Sequence, residues 1–402
     1  MNKRKLINDP VYGLIHIRTP LLFDIIEHPL FQRLRRIKQT GLTHLVYPGA
    51  QHTRFHHALG AMHLMGMAID ELRSKQCDIS ENEEEAALIA VLLHDIGHSP
   101  YSHALEGTII KADHESIGKV LIQYLEEKIS PTIGLALQMF EGKYNRPFFH
   151  QLISGQLDLD RLDYLSRDSF YTGVAEGVVG HDRILRMLRV VDDQLVVEEK
   201  GLHSIEKFLV ARRIMYWQVY LHKTVLSAEL MAKTIINLLW KEEPDLRKSF
   251  VAPELEYFLF HEINISNFIE KLDDIMPWFL QLDDISIDYS FKRLQDYHAG
   301  TIQLLASHVI NRNLNKLKWS EAAVSEALKE ETIETVSKNY GLTIAQATEL
   351  VWVGSETNKA YSTTEDEIMI LTKEDEIRPF SAFLNPAVEI ELNRKYFISY
   401  PG

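Results

Sequence analysis

Apolar residues recur at helical spacing along most of the chain. Between Pro20 and Lys38 they fall three or four positions apart, which predicts helical structure, and Pro29 divides this stretch into two helices, the second ending at Gly41. The same spacing predicts a helix from Phe55 to Ser74. An unbroken apolar run from Ala86 to Leu93 predicts a helix that is buried on all sides.

The rest of the chain continues this mainly helical pattern. Helices are predicted over residues 114–128, 131–155 as a shorter pair, 158–170 and 204–240, and residues 254–355 are again mainly helical. Strand-like runs interrupt the pattern at a hairpin that turns at Gly13, a hairpin over 188–197, and strands at 367–371 and 395–400.

These elements predict an all-α fold with small β-hairpins and a minor C-terminal α/β element. The chain has 402 residues, more than one domain usually holds, so we expect two parts. Residues 1–250 form the main helical core, and residues 251–402 form a mainly helical accessory region that ends in the α/β element. Pro244 and Pro253 mark the break between them.

Composition and charge exclude several classes of protein. Hydrophobic residues make up 46% and charged residues 25% of the chain, as in an ordinary soluble protein. The formal net charge of -14 argues against nucleic acid as the main partner. No apolar segment follows the N-terminus as in a signal peptide, and no run of about 18 apolar residues predicts a membrane helix. The single cysteine, Cys77, fits a cytoplasmic location.

The stretch from His94 to His103 concentrates candidate chemistry at the end of the apolar run. It contains three histidines and Asp95 within ten residues. Burying an imidazole and a carboxylate without partners costs several kcal/mol, and a divalent metal ion is the simplest partner. The alternative is a capped helix end, in which Gly97 is the C′ residue and the histidines interact with the last carbonyls.

Three other stretches combine histidine, acid and arginine, namely residues 51–57, 113–115 and 158–168. In the last of these, Asp160, Tyr164 and Asp168 lie four residues apart and form one stripe on a helix. Each stretch alone is typical of a helix cap or a polar surface. Together, two imidazoles and two carboxylates suit a divalent ion with open coordination positions.

The order of the histidines and aspartates along the chain matches the signature of a known family. His57, then His94-Asp95, then Asp160 resembles the H…HD…D signature of the HD-domain phosphohydrolases. The resemblance is densest over residues 5–225 and extends to the deoxynucleoside triphosphate triphosphohydrolases. It is carried by Asn8-Asp9-Pro10 with Gly13, Phe31–Arg35, Ile37–Gln39, Tyr47–Ala50, Arg54-Phe55, His94–His103 and Asp158–Asp168.

The resemblance implies a helical HD core and a reaction that cleaves a deoxynucleoside triphosphate to the deoxynucleoside and inorganic triphosphate. It implies a divalent metal ion (Mg, Mn, Fe, Ni or Zn) bound by His57, His94, Asp95 and Asp160. His56 stands where the family commonly has glutamate, and the register favours His57 over His56 as the ligand.

The resemblance also assigns groups to proton transfer and substrate binding. His98, His103 and His114 match active-site histidines, with His103 nearest the leaving 5′ oxygen, and Glu106 matches an acid that orients such a histidine. The implied substrate contacts are Arg54, Arg161 and Arg212 to phosphate, Tyr164 and Tyr220 beside the sugar, and Gln39 and Asp168 to the 3′-hydroxyl. Core packing is the alternative for the two tyrosines.

Regulated members of the family are oligomers, often tetramers, that bind nucleotide effectors between subunits. Lys5, Asn8, Gln32 and Arg35 match the effector-binding positions, so we expect a homo-oligomer, a tetramer foremost, and a GTP-like or dGTP-like effector. A solvated basic surface is the alternative for the helix over residues 29–38.

Two alternative functions stay open. One is an HD phosphohydrolase that acts on a nucleoside monophosphate or an alarmone, although Arg161, Tyr164 and Asp168 favour the triphosphate branch. The other is a regulatory protein that binds nucleic acid and keeps a vestigial metal site. The net charge and the complete set of ligand residues count against it.

Overall fold

The computed structural model describes residues 5–297, 300–357, 366–383 and 394–402. The helices of the first half of the chain are α1 (Pro20–Glu27), α2 (Pro29–Arg33), α3 (Arg54–Ser74), α4 (Glu81–Leu93), α5 (His114–Lys128), α6 (Thr132–Phe140), α7 (Phe148–Ser154), α8 (Leu159–Thr172) and α9 (His181–Met187). Within the described ranges, no helix has the length and apolar character needed to cross a bilayer.

The helices of the second half are α10 (Leu202–Met215), α11 (Lys223–Leu239), α12 (Pro244–Arg247), α13 (Pro253–His261), α14 (Ile265–Glu270), α15 (Leu272–Phe279), α16 (Asp284–Leu294), α17 (Gly300–Ile310), α18 (Glu326–Tyr340) and α19 (Ile344–Thr348). The strands are β1 (Lys5–Asp9), β2 (Gly13–Ile17), β3 (Leu188–Val191), β4 (Gln194–Glu198), β5 (Lys316–Ser320), β6 (Trp352–Thr357), β7 (Met369–Leu371), β8 (Ile377–Pro379) and β9 (Arg394–Tyr400). The prediction of a mainly helical protein with small β elements is confirmed.

The strands form three small sheets. β1 and β2 make an antiparallel hairpin in which Asp9 pairs with Gly13. β3, β4, β7 and β8 form a second sheet in that order, with β4 and β7 parallel, and β9 lies between β5 and β6 in a third, antiparallel sheet. The C-terminal strands are therefore divided between two sheets instead of forming one separate element.

The long helical stretch predicted over residues 204–240 is helical but divided in two. α10 runs into a π-helical turn over Tyr216–Tyr220, and α11 starts anew at Lys223. The side chain of His222 caps α11 by accepting the N–H of Thr224 at 3.2 Å. The predicted helix after Pro29 also ends early, because residues Leu34–Arg36 tighten into a 3₁₀ turn before Gly41.

α3 and α4 form the centre of the helical core. α3 packs against α4 and α8, and α4 packs against α6. Every residue from Ala86 to Leu93 is buried, as the apolar run predicts. One hydrophobic cluster extends from Ile15 to Ile398 and includes side chains of both predicted parts of the chain. The division near residue 250 stays a prediction.

The loop after α4 has a strained backbone. Tyr101 and Ser102 both adopt the left-handed conformation, with φ of 54° and 56°, which costs about 1–3 kcal/mol for a residue other than glycine. Asp284 at the start of α16 holds the loop, because its Oδ1 accepts the N–H of Tyr101 at 2.7 Å. Its Oδ2 accepts the N–H of Lys38 at 2.8 Å, which ties the loop to the segment after α2.

Arg33 fixes the same loop from the other side. Its Nη1 donates to the carbonyl oxygen of His98, and its Nε donates to that of Leu282, each at 2.9 Å. The buried guanidinium also lies 4.1 Å from the ring centroid of Phe279. A side chain from the first part of the chain thus joins the loop after α4 to the segment before α16.

We expect Arg33→Met to lower the free energy of unfolding by about 2–4 kcal/mol, because methionine fills the space but leaves two buried carbonyl groups without donors. Urea unfolding followed by circular dichroism measures the change. The control is Arg186→Met at an exposed position of α9, which should change stability by less than about 0.5 kcal/mol. Equal effects of the two substitutions would contradict this role of Arg33.

Candidate metal centre and active site

Three helix ends bring the predicted metal ligands together. His57 lies in the first turn of α3, His94 is the C-cap residue of α4, and Asp160 lies in the first turn of α8. An acid at a helix N-terminus and a histidine at a helix C-terminus are both favoured by the helix dipole. The helix dipole therefore favours His94 and Asp160 at their positions, whereas His57 lies at a helix N-terminus and is held by a hydrogen bond to Asp163.

The side-chain atoms of these residues converge on one point. His57 Nε2 lies 3.2 Å from His94 Nε2 and 3.0 Å from Asp160 Oδ1, and His94 Nε2 lies 3.5 Å from the same oxygen. Asp95 flanks the group, with its Oδ2 at 3.5 Å from His57 Nε2 and its Oδ1 at 3.4 Å from His94 Nε2. We call these four residues the metal cluster.

The other ring nitrogens show which tautomers are present. His57 Nδ1 donates to Asp163 Oδ2 at 2.7 Å, and His94 Nδ1 donates to the carbonyl oxygen of Val91 at 2.6 Å. In the neutral imidazoles, both Nε2 atoms therefore carry lone pairs, and these lone pairs face each other across 3.2 Å. A positive charge shared by the two nitrogens, either a proton or a metal ion, makes this arrangement favourable.

The charges around the cluster also favour a cation. Burial alone would lower the pKa of His57, but hydrogen bonds to Asp160 and Asp163 outweigh it and raise the pKa to about 10. Burial would raise the pKa of Asp95, yet Arg54 and the neighbouring imidazoles hold it well below its ordinary value. With a pKa of about 10 the His57 ring carries a proton, and a divalent metal ion would have to displace it. The two imidazoles, then neutral, and the two carboxylates are a ligand set that fits such an ion.

His56 has a different role from its neighbour. Its Nδ1 accepts the N–H of Thr53 at 3.2 Å and so caps α3, as the glutamate of a capping box does. His57 is the residue of this pair that reaches the metal cluster. The substitution of histidine for glutamate at position 56 is thus accommodated locally.

A second group of histidines lies beside the metal cluster. Both oxygens of Glu106 are used, because Oε2 accepts from His103 Nδ1 at 2.9 Å and Oε1 accepts from His114 Nδ1. Burial would raise the pKa of Glu106, but these two hydrogen bonds lower it below its ordinary range. The ionised carboxylate therefore orients both rings. His103 is the accessible one, since its side chain is 66% exposed.

His98 is buried between these two groups. Its Nδ1 lies 3.2 Å from the carbonyl oxygen of Asp95, and its buried Nε2 has no hydrogen-bond partner among the described residues. Burial and the charge of Arg54 lower its pKa well below the ordinary value, so the ring is neutral. The ring of His98 stacks on that of His114 at 3.9 Å, with 29° between the planes. The three histidines His98, His103 and His114 each offer a ligand atom within 4.8 Å of the others, so they form a second group that could hold a metal ion.

One cavity of about 700 Å³ connects the metal cluster to the predicted sugar site. Its wall includes His94, Asp95 and Asp160 at the metal cluster and Tyr164, Asp168, Tyr220 and Gln39 farther along. Asp168 accepts from Tyr220 Oη at 2.6 Å and from His52 Nε2 at 2.7 Å, and both carboxylate oxygens are buried. The rings of Tyr164 and Tyr220 meet edge to face, with centroids 6.1 Å apart.

The three predicted phosphate-binding arginines occupy different environments. Arg54 lines the cavity, pairs with Asp95, and donates from Nε to Ser102 Oγ at 2.8 Å. Arg161 is bound to Asp158 and donates to the carbonyl oxygen of Gly155 at 2.6 Å. Arg212 is buried near Tyr164. Burial raises the pKa of Tyr164, and the positive charges of Arg212 and Arg161 partly offset that rise. Among the described residues that line the cavity, Arg161 and Arg212 are absent.

The predicted effector residues lie outside this cavity and against α1. Lys5 and Asn8 are on exposed positions of β1, and the Lys5 ammonium lies over the ring of Phe23. Gln32 donates to the carbonyl oxygen of Ile26 at 2.7 Å and accepts from Arg35 Nε at 2.7 Å. Their role in effector binding stays a prediction.

Several residues that bear on the site were not predicted from the sequence. His52 and Asp163 bind Asp168 and His57, respectively, and Lys119 of α5 adds a cation to the cavity wall. The spacing of Asp163 and Arg167, four residues apart on α8, was the available signal for a buried ion pair. His52 had no such signal, because its contact crosses more than a hundred residues of sequence.

Comparison with known proteins agrees with this geometry. The family model of the HD domain matches residues 54–168, and that of the HD associated region matches residues 179–253. A phosphohydrolase from Bacteroides thetaiotaomicron is 43% identical in sequence, and its crystal structure superposes with a TM-score of 0.93 over 99% of this chain and 100% of that one. This chain belongs to the HD-domain phosphohydrolases. His57, His94, Asp95 and Asp160 lie within the segment that matches the HD domain.

Other HD-domain relatives are more distant. The protein YwfO of Bacillus subtilis, whose function is uncharacterised, is 34% identical over 78% of this chain and 72% of its own. A deoxynucleoside triphosphate triphosphohydrolase SAMHD1 homologue from Dictyostelium discoideum is also 34% identical, over 80% of this chain. This chain spans 63% of the Dictyostelium protein.

We expect the protein to bind one equivalent of Mn²⁺ and His94→Ala to weaken this binding at least tenfold, because the variant loses a ligand. The affinity should fall between pH 8 and pH 5.5, since protons compete for the ligand atoms. Isothermal titration calorimetry measures both effects. His261 is the control, because its Nδ1 also bonds a carbonyl oxygen of its own helix, that of Tyr257 at 2.9 Å. Equal losses of affinity in His94→Ala and His261→Ala would contradict the metal assignment.

Proposed function

We propose that this HD-domain phosphohydrolase hydrolyses deoxynucleoside triphosphates to the deoxynucleoside and inorganic triphosphate, with a divalent metal ion bound by His57, His94, Asp95 and Asp160. The observation that carries the proposal is the single cavity, whose wall includes residues of the metal cluster at one place and Asp168, Tyr220 and Tyr164 at another. A nucleotide bound there spans from a phosphate-binding region to a sugar-binding region.

The sugar region supports a deoxyribose. Asp168 is a buried carboxylate that already accepts from Tyr220 and His52, and its remaining lone pairs can accept a 3′-hydroxyl. The edge-to-face pair of Tyr164 and Tyr220 restricts the space beside it. We propose that these rings exclude a 2′-hydroxyl, which accounts for selection of a deoxynucleotide by shape.

When bound, the divalent ion would supply Lewis-acid polarisation of a phosphoryl oxygen and lower the pKa of a water molecule. The chain's own groups complete the reaction. The net reaction adds water across the bond between the α-phosphorus and the 5′ oxygen. Arg54 and Lys119 provide positive charge in the cavity wall that offsets the charge on the equatorial oxygens. Arg161 and Arg212 stay predicted phosphate contacts that would have to turn toward the substrate.

The proton for the leaving 5′ oxygen is assigned to His103. Its ring is accessible from the cavity, and Glu106 holds its Nδ1, which leaves Nε2 for the substrate. The carboxylate behind the ring fixes its orientation, as transfer of a proton from Nε2 requires. His114, held by the same carboxylate, is placed to contact phosphate, and neutral His98 offers an acceptor at Nε2.

Regulation and assembly are also part of the proposal. Lys5, Asn8, Gln32 and Arg35 would bind a GTP-like or dGTP-like effector where subunits of a homo-oligomer, a tetramer foremost, meet. The hairpin that carries Lys5 and Asn8 exposes Leu6 and Leu14, and exposed apolar side chains favour contact with another subunit. A cytoplasmic location stays a prediction.

We expect the protein, given Mn²⁺ and a mixture of deoxynucleoside triphosphates, to release tripolyphosphate, and we expect His103→Ala to lower kcat by about 10²–10⁴-fold, because the variant loses the proton donor. Ion chromatography identifies the product. His203 is the matched control, since its Nδ1 bonds Glu206 in the same i,i+3 arrangement on an exposed helix surface.

Each outcome of this assay has a definite meaning. Release of orthophosphate or pyrophosphate would favour the alternative phosphorylated substrates, and no product with any added nucleotide would favour a regulatory protein. Equal activity of His103→Ala and His203→Ala would remove His103 from its assigned role. A single deoxynucleotide assayed with and without GTP tests the effector, and an unchanged rate would contradict activation by GTP.

A further inference from the structure

A buried chain of charged groups connects the metal cluster to the N-terminal hairpin. His57 Nδ1 donates to Asp163 Oδ2 at 2.7 Å. Arg167 then binds Asp163 with two hydrogen bonds, from Nε to Oδ2 at 3.0 Å and from Nη2 to Oδ1 at 2.9 Å. Its third bond, from Nη1, goes to Asp9 Oδ2 at 2.7 Å. We call Asp163, Arg167 and Asp9 the relay.

The relay is closed to solvent and tightly enclosed. The side chains of Asp163 and Arg167 are 0% exposed, and that of Asp9 is 4% exposed. Gly60 of α3 makes room for them, since a Cβ at this position would lie 2.0 Å from Asp163 Oδ1 and 2.2 Å from Arg167 Nη2. The bidentate pair is therefore held in one geometry by its surroundings as well as by its charges.

Asp9 has a second function at the end of β1. While Oδ2 binds Arg167, Oδ1 accepts the N–H of Val11 at 2.9 Å and that of Tyr12 at 3.0 Å. These bonds close the turn between β1 and β2, where Gly13 adopts a positive φ of 76°. One carboxylate thus fixes both the shape of the hairpin turn and the position of Arg167.

We infer that Asp163, Arg167 and Asp9 are positioning residues that couple the placement of the β1–β2 hairpin to the metal affinity of His57. The inference rests on the metal centre of the proposed function. Asp163 Oδ2 is shared by His57 and Arg167, so the position of Arg167 determines where that oxygen lies. If Asp9 moves with the hairpin, Arg167 loses one of its three bonds. Its hold on the Asp163 oxygen that orients the ring of His57 then weakens.

The coupling explains why an exposed hairpin bears on a buried site. β1 also carries Lys5 and Asn8, so any contact that displaces β1 acts on the end of the relay. Partners that orient a ligating histidine typically account for 10–100-fold in metal affinity. A change of 10–100-fold in metal affinity alters the fraction of protein that holds a metal ion at a given metal concentration, although the four ligand residues stay the same.

The test is Asp9→Asn in the full chain, because asparagine keeps an oxygen for the turn but loses the charge that binds Arg167. We expect the Kd for Mn²⁺, measured by calorimetry at constant pH, to rise at least tenfold. Glu256→Gln is the matched control, since Glu256 and Arg247 form another buried ion pair, at 2.9 Å, far along the chain from the metal ligands. It should lower stability and leave the Kd for Mn²⁺ unchanged.

A second variant keeps the test decisive if Asp9→Asn does not fold. Arg167→Lys retains the positive charge but cannot bridge Asp163 and Asp9 with three bonds, so its Kd for Mn²⁺ should rise to a similar extent. A Kd within twofold of the wild-type value in either folded variant would overturn the relay. Wild-type protein that binds no Mn²⁺ would overturn the metal centre and the relay together.

Failure of the proposed function is distinguishable from failure of the relay. If wild-type protein binds Mn²⁺ but releases no tripolyphosphate, the substrate assignment fails, while weaker Mn²⁺ binding by Asp9→Asn still supports the relay. If tripolyphosphate is released and Asp9→Asn binds Mn²⁺ as tightly as the wild type, the function stands and the relay fails.

Discussion

The candidate site depends on the placement of two imidazole nitrogens, His57 Nε2 and His94 Nε2, 3.2 Å apart. Hydrogen bonds to Asp163 and to the carbonyl oxygen of Val91 hold a proton on each Nδ1, so both Nε2 atoms carry lone pairs when the rings are neutral. A positive charge between these two nitrogens, either a proton or a metal ion, makes the arrangement favourable. The packing of α3 against α4 and α8 serves to bring the two rings and Asp160 to that point.

Residues on both sides of the predicted division near residue 250 hold the same site. The loop that carries His98 and His103 contains two left-handed residues, and a backbone of this kind persists only where its surroundings hold it. Asp284 of α16 and Arg33 of α2 provide those contacts. A strained loop fixed from both parts of the chain can keep the histidines in place beside the metal cluster without substrate.

The sequence predicts the centre of this molecule better than its periphery. The buried helix that ends at His94 and the stripe of Asp160, Tyr164 and Asp168 follow from local spacing, because helical geometry alone sets which side chains share a face. The break before Lys223 was not predicted, because the capping side chain of His222 determines it. The strands β5 and β6 were not predicted, because each forms only by pairing with β9. The bond between Asp9 and Arg167 joins residues 158 positions apart, and no local pattern predicts such a contact.

The most direct test of the metal centre is a crystal structure of the protein grown with Mn²⁺, in which anomalous scattering locates the ion. We expect one strong peak about 2.0–2.3 Å from His57 Nε2, His94 Nε2 and an oxygen of Asp160. A fully ordered cluster without a peak there, or a peak among His98, His103 and His114 instead, would contradict it.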